Sequence, residues 1–160
     1  MIEKRLRSGL SRRTIHRMKQ PFLTCTISLT LLAAAAVAQA PPKTKGSDTA
    51  VVYIQSPKNG DTVSSPFTVR FGLKGMGVAP AGVTTPNTGH HHLLIDLATP
   101  PDLNAALPVT DNIKHFGAGQ TETELTLPPG QHTLQLVLGD HLHIPHEKPV
   151  VSEKITITVK

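Results

Sequence analysis

The 160-residue chain holds one cysteine, no tryptophan and a single tyrosine. The cysteine, Cys25, sits inside an apolar N-terminal run, so residues 41–160 carry none. Disulfides, thiolate ligands and a cysteine nucleophile are thereby excluded from that part of the chain. No G-x-S-x-G elbow occurs, which removes the usual serine hydrolase arrangement. Gly117-Ala-Gly119-Gln120 is a lone glycine-rich loop with no P-loop lysine and no preceding βα unit, so it is no phosphate cradle. An excess of one charge is also missing where it would matter. The formal net charge is +5, but seven of the sixteen Lys/Arg and only one of the eleven Asp/Glu lie in residues 1–40. Residues 41–160 keep nine basic and ten acidic groups, a balance of −1. Nucleic-acid binding driven by bulk charge is excluded on that ground.

The basic stretch ends at Lys19 and an apolar run follows from Phe22 to Ala38, closing on Ala38-Gln39-Ala40. Cationic segment, apolar core and A-x-A site are the layout of a cleaved secretory signal peptide over residues 1–40. Met1 or Met18 would serve as its start. After cleavage no stable membrane anchor is expected, and the product is periplasmic or secreted. Residues 41–49 (PPKTKGSDT) read as a linker, and residues 50–160 as one domain.

Within that domain, short alternating runs are cut by turn residues. They are Val51–Gln55, Phe67–Leu73, His91–Leu97, Thr121–Leu127, His132–Leu138 and Glu153–Val159. No long helix fits between the prolines and glycines; Leu103–Leu107 has room for one short turn. Pro128-Pro129-Gly130-Gln131 predicts a tight reversal joining the fourth and fifth runs as an antiparallel hairpin. Glu122 and Glu124 alternate on a strand and read as a solvated face. The pattern predicts an all-β fold, an antiparallel β-sandwich of about six to seven strands.

The segments Val52-Tyr-Ile-Gln-Ser-Pro-Lys-Asn-Gly-Asp-Thr-Val and Pro66-Phe-Thr-Val-Arg-Phe resemble the first two strands of bacterial immunoglobulin-like domains. Pro129-Gly-Gln-His-Thr-Leu-Gln-Leu-Val-Leu-Gly-Asp resembles their E–F corner and strand F, with His132 where a corner tyrosine often stands. More specifically, Gly89-His-His-His-Leu-Leu-Ile-Asp, His115-Phe-Gly-Ala-Gly-Gln-Thr-Glu and the strand from His132 resemble a bacterial secreted family, the domain of unknown function 4399 family. The resemblance spans about residues 51–160. It implies an immunoglobulin-like sandwich and brings no activity with it.

What the domain has in plenty is histidine: His90, His91, His92, His115, His132, His141, His143 and His146. Neutral imidazole is the commonest protein metal ligand. His-x-His on a strand puts two rings on one face about 7 Å apart, within reach of one ion. On immunoglobulin-like strand order, His90–His92 fall at the start of strand C, His115 before strand E, and His141, His143 and His146 in the F–G loop. Seven of the eight would then gather at one pole, with His132 at the other. Strand parity leaves open which side of strand C faces inward, because both sides carry apolar groups.

The expected ligands are His90, His92, His141 and His143, with His115 and His146 in reserve. Asp96 and Asp140 are expected to orient imidazoles by accepting their second N–H. A cysteine-free set of this kind suits copper or zinc. Met76, between two glycines, reads as a gap-filling loop residue with a thioether in reserve. His132 reads as structural. The alternative to a metal ion is a non-catalytic envelope interaction module that binds a protein or glycan, its histidines shaping loops by hydrogen bonding. Copper–zinc superoxide dismutase offers no match, since no stretch reproduces its ligand pattern. Catalysis is disfavoured and stays open only if a bound ion keeps a free position.

Overall fold

The structure, a computed structural model, describes residues 42–160; the expected signal peptide lies outside the described residues. Nine strands follow in order: β1 (Val51–Ser56), β2 (Thr62–Val63), β3 (Phe67–Lys74), β4 (Gly77–Val78), β5 (Thr88–Ile95), β6 (Ile113–His115), β7 (Glu122–Leu125), β8 (Gly130–Gly139) and β9 (Ile155–Val159). No helix occurs among the described residues. Three of these strands, β2, β4 and β6, are only two or three residues long and escape sequence patterning.

The strands form two sheets. The smaller has the order β1-β3-β7, and the larger β2-β9-β8-β5-β4, with β6 also paired to β5. All long pairings are antiparallel; the short β2–β9 and β4–β5 pairs are parallel. With β1, β3 and β7 facing β5, β8 and β9, the fold is an immunoglobulin-like sandwich.

Alternation builds the core between the sheets. Val52 and Ile54 of β1, Val69 and Phe71 of β3, Leu93 and Ile95 of β5, and Leu134, Leu136 and Leu138 of β8 all point inward. The larger sheet is covered on its outer side as well. Leu94, Leu107, Ile113 and Val137 form a second buried cluster there, with Leu97 and Leu103 packed on it. Residues 97–112 thus roof over β5 and β8. That is why both parities of β5 are apolar.

Two expectations are corrected. The fourth and fifth runs do not form a hairpin: β7 pairs with β3 in the smaller sheet, while β8 lies between β5 and β9 in the larger. Pro128 and Pro129 have no N–H to offer a continuing ladder. The chain crosses between the sheets instead, with Leu127 N–H donating to Ser65 Oγ (3.2 Å). Residues 42–49 are no free linker. Thr44 Oγ1 donates to Asp140 Oδ2 (2.9 Å), and Glu147 N–H donates to the Thr44 carbonyl (2.9 Å). Lys43 Nζ donates to the Leu103 carbonyl (2.9 Å). The segment is fastened to the domain by bonds that polar composition does not announce. Glu122 pairs with Arg70 (3.0 Å) across β3 and β7, both well exposed, as a solvated face should be.

Candidate metal centre

Three local facts bring imidazoles together on the outer side of the larger sheet. The period of two along β5 sends His90 and His92 to that side and His91 into the sandwich core. The β5–β6 register sets His115 directly opposite His92. After β8 the chain turns back at Asp140. Its Oδ1 accepts N–H bonds from Leu142 (2.8 Å) and Ile144 (3.0 Å), and its backbone carbonyl accepts one from His143 (2.9 Å). His143 sits at φ 67°, in the left-handed region, which throws its ring back over the sheet. Its carbonyl accepts the Leu107 N–H (2.9 Å), tying the histidine turn to the roof.

The rings of His90, His92 and His115 have centroids 4.9, 5.0 and 5.2 Å apart. One nitrogen from each lies within 4.8 Å of the others, so the three could hold a metal ion. Two imidazole nitrogens on a tetrahedral ion stand about 3.4 Å apart. Loading therefore asks for a closure of up to about 1.4 Å, within the reach of side-chain torsions. The His143 ring flanks the triad, 4.7 Å from His115, 5.1 Å from His90 and 6.0 Å from His92.

Two glycines make the space. A Cβ at Gly139, which pairs with His90 across β5 and β8, would lie 2.7 Å from His92 Cε1. A Cβ at Gly117 would fall against the His115 ring.

His90 and His92 have no exposed surface, and neither ring nitrogen of either finds a hydrogen-bond partner; His115 Nε2 is likewise unpartnered. Burial, then the neighbouring His115 and His143, lowers His90 to about 4, with Asp140 opposing the shift. Burial, then His90, His115 and His143, lowers His92 to about 3. His115 is lowered by burial and by His143. At neutral pH His90, His92 and His115 are therefore uncharged imidazoles, the form whose lone pairs bind metals.

The remaining expected residues lie elsewhere. His141 is partly exposed and lines a pocket of about 60 Å³ beside Thr44 and His146. His146 is buried there, its Nε2 3.3 Å from the Thr88 carbonyl. Neither joins the triad, because the turn and the φ of His143 break the alternation that an extended backbone would have given His141 and His143. Asp140 spends its carboxylate on its own turn and on Thr44 rather than on an imidazole. Asp96 lies at the far end of β5, where its carboxylate meets His132 Nδ1 (2.6 Å). His132 Nε2 donates to the Pro128 carbonyl (2.9 Å), so this ring pins the sheet-crossing corner. The Asp96 bond raises the affinity of His132 for its proton. Met76 packs against the core, its sulfur near Gly46. Gly117 and Gly139, which admit the rings, carried no signal of their own in the sequence.

Fold and site together define a small all-β domain with a buried histidine cluster able to hold an ion. The model of the family described as domain of unknown function (DUF4399) matches residues 69–160, and the chain belongs to that family. All four clustered histidines fall inside the matched stretch. No curated protein and no solved structure matches the chain.

Proposed function

We propose that the protein binds one divalent transition-metal ion, copper or zinc, through His90, His92 and His115, with His143 alongside, and that it carries or stores the ion without catalysis. The observation that carries this reading is the unpartnered, buried state of the imidazole nitrogens. A buried polar atom without a partner costs about 1–3 kcal/mol. Five of the nine such side-chain atoms among the described residues belong to these three rings, and a cation takes up one lone pair from each ring. An all-imidazole set suits both ions, and copper at equal supply. Calorimetric titration of the metal-free domain with Cu²⁺ and Zn²⁺ tests it. Sub-millimolar, one-to-one binding that His90→Gln and His92→Gln abolish is expected; no such binding ends the proposal.

The layout of residues 1–40 supports export, so the ion would be met in the periplasm or outside the cell. Finding the N-terminus of the exported form at Pro41 would establish this. A second reading, an interaction module for a protein or glycan, is favoured by an open cleft of about 770 Å³ between β6 and β7, lined by Val109, Lys114, Phe116, Glu124 and Leu125 among others. Binding of a partner that survives chelators and the two glutamine substitutions would favour it.

A further inference from the structure

We infer that the ion held by His90, His92 and His115 keeps an open coordination position that takes a small anion, hydroxide or an azide-like ligand, and that His143 lines this position rather than filling it. The inference rests on the metal-binding reading above.

Geometry separates His143 from the other three. The difference lies on the His92 side: the His143 ring stands 6.0 Å from His92, against 4.9–5.2 Å among the triad rings, whose nitrogens meet within 4.8 Å, although it is 4.7 Å from His115 and 5.1 Å from His90. Its backbone is held on both sides, by the bond to the Asp140 carbonyl and by the Leu107 N–H. A three-imidazole set with its fourth place vacant is the arrangement that leaves room for an exogenous ligand.

Charge makes that ligand an anion. All the clustered side chains are neutral donors, so a divalent ion would bring its full charge into a site walled by buried groups. The nearby carboxylate, Asp140, is already engaged by the Leu142 and Ile144 N–H groups and the Thr44 hydroxyl. Uncompensated charge in a low-dielectric site is costly, and a bound anion offsets it.

Access fits the same side. His90 and His92 are fully buried, whereas His115 and His143 are partly exposed. His115 is also among the residues that line the open cleft between β6 and β7. A small anion would enter past these two residues and find the ion's free face.

The test uses the whole exported chain loaded with Co²⁺, whose visible bands report coordination, titrated with sodium azide. Saturable change of the Co²⁺ bands by azide is the expected result. Co²⁺ bands that form and ignore azide overturn this inference while sparing the metal site. Absence of any Co²⁺ band overturns this inference, and the metal reading as well where Cu²⁺ and Zn²⁺ also fail to bind in the calorimetric titration. His143→Gln supplies a second measurement. Lining predicts a Co²⁺ affinity reduced by less than about tenfold and a weakened azide response; a fourth ligand predicts a loss of about 100-fold or more. Should that variant fail to fold, the azide titration of the unaltered chain still decides.

Discussion

Replacing Gly139 by alanine adds one methyl group at the point where β8 passes under the His92 ring. The new carbon would sit 2.7 Å from His92 Cε1, 3.1 Å from its Nδ1 and 3.3 Å from the His143 carbonyl carbon. At 2.7 Å the ring must move, and the backbone of the histidine turn leaves little room behind. Overpacking of this kind costs about 1–3 kcal/mol. Loss of glycine's freedom in the unfolded chain returns about 0.4–1 kcal/mol. A net destabilisation of about 1–2 kcal/mol is expected from these two terms. The larger effect falls on the ion, because His92 is turned away from the common point of the triad. We expect metal affinity to fall about 10–100-fold, the size seen when a ligand loses its orientation. Urea denaturation of the metal-free protein gives the first quantity, and chelator competition with Cu²⁺ or Zn²⁺ the second. Gly46→Ala is the control: its methyl would crowd His146 and Met76 at 3.2–3.3 Å, away from the triad. It should cost stability without touching affinity. Equal metal affinity in Gly139→Ala and the unaltered protein would refute the placement of the site at His92.

His91 is fully buried beside Phe71, ring centroids 5.2 Å apart; the Gln120 backbone approaches its ring without forming a hydrogen bond of good geometry, and burial lowers its affinity for a proton. His91→Leu should raise stability by about 1–2 kcal/mol, read as a higher urea midpoint, and leave metal affinity unchanged; a lower midpoint would mean that the imidazole makes a hydrogen bond that leucine cannot replace. His132 has a raised pKa through Asp96, so its contribution is full below about pH 6.5 and fades as pH rises through the raised value. Because over a third of Asp96 is exposed, we expect about 1 kcal/mol, removed by His132→Gln, which should flatten stability against pH in that window. His90 and His92 act with opposite sign. Lowered to about 4 and about 3, they favour the metal-free fold above pH 6.5 and withdraw that support as pH falls toward those values. The slope approaches about 1.4 kcal/mol per pH unit for each imidazole, and denaturation of His90→Gln at pH 7 and pH 5 should show it shrink.

The strand runs and the sandwich were readable because most strands are half-buried and alternate, as Leu134-x-Leu136-x-Leu138 does. What turn chemistry does not say is which sheet the next strand joins; Pro128-Pro129-Gly130 suits a crossing as well as a hairpin. Strand order predicts seven histidines at one pole, whereas four gather, on the outer side of the larger sheet. His115 enters through the register of β6, three residues that no periodicity reveals. His141 leaves because one left-handed residue, His143, ends the extended pattern. The side of β5 that carries His90 and His92 was illegible because the roof makes both faces apolar. Asp96 was expected beside the cluster and instead grips His132, a partner found only by knowing where β5 stops.

The cover over the cluster hangs from very little. Sixteen buried side chains join the sheets, whereas four hold residues 97–112 down, and one of those four, Leu107, is latched to His143 through its N–H. Such a flap can lift while the sandwich beneath stays intact, since local opening costs only the contacts it breaks. Under the metal-binding proposal, exchange of the ion would be uncoupled from unfolding, and amide exchange at Leu107 should slow on loading well before exchange deep in β8 responds.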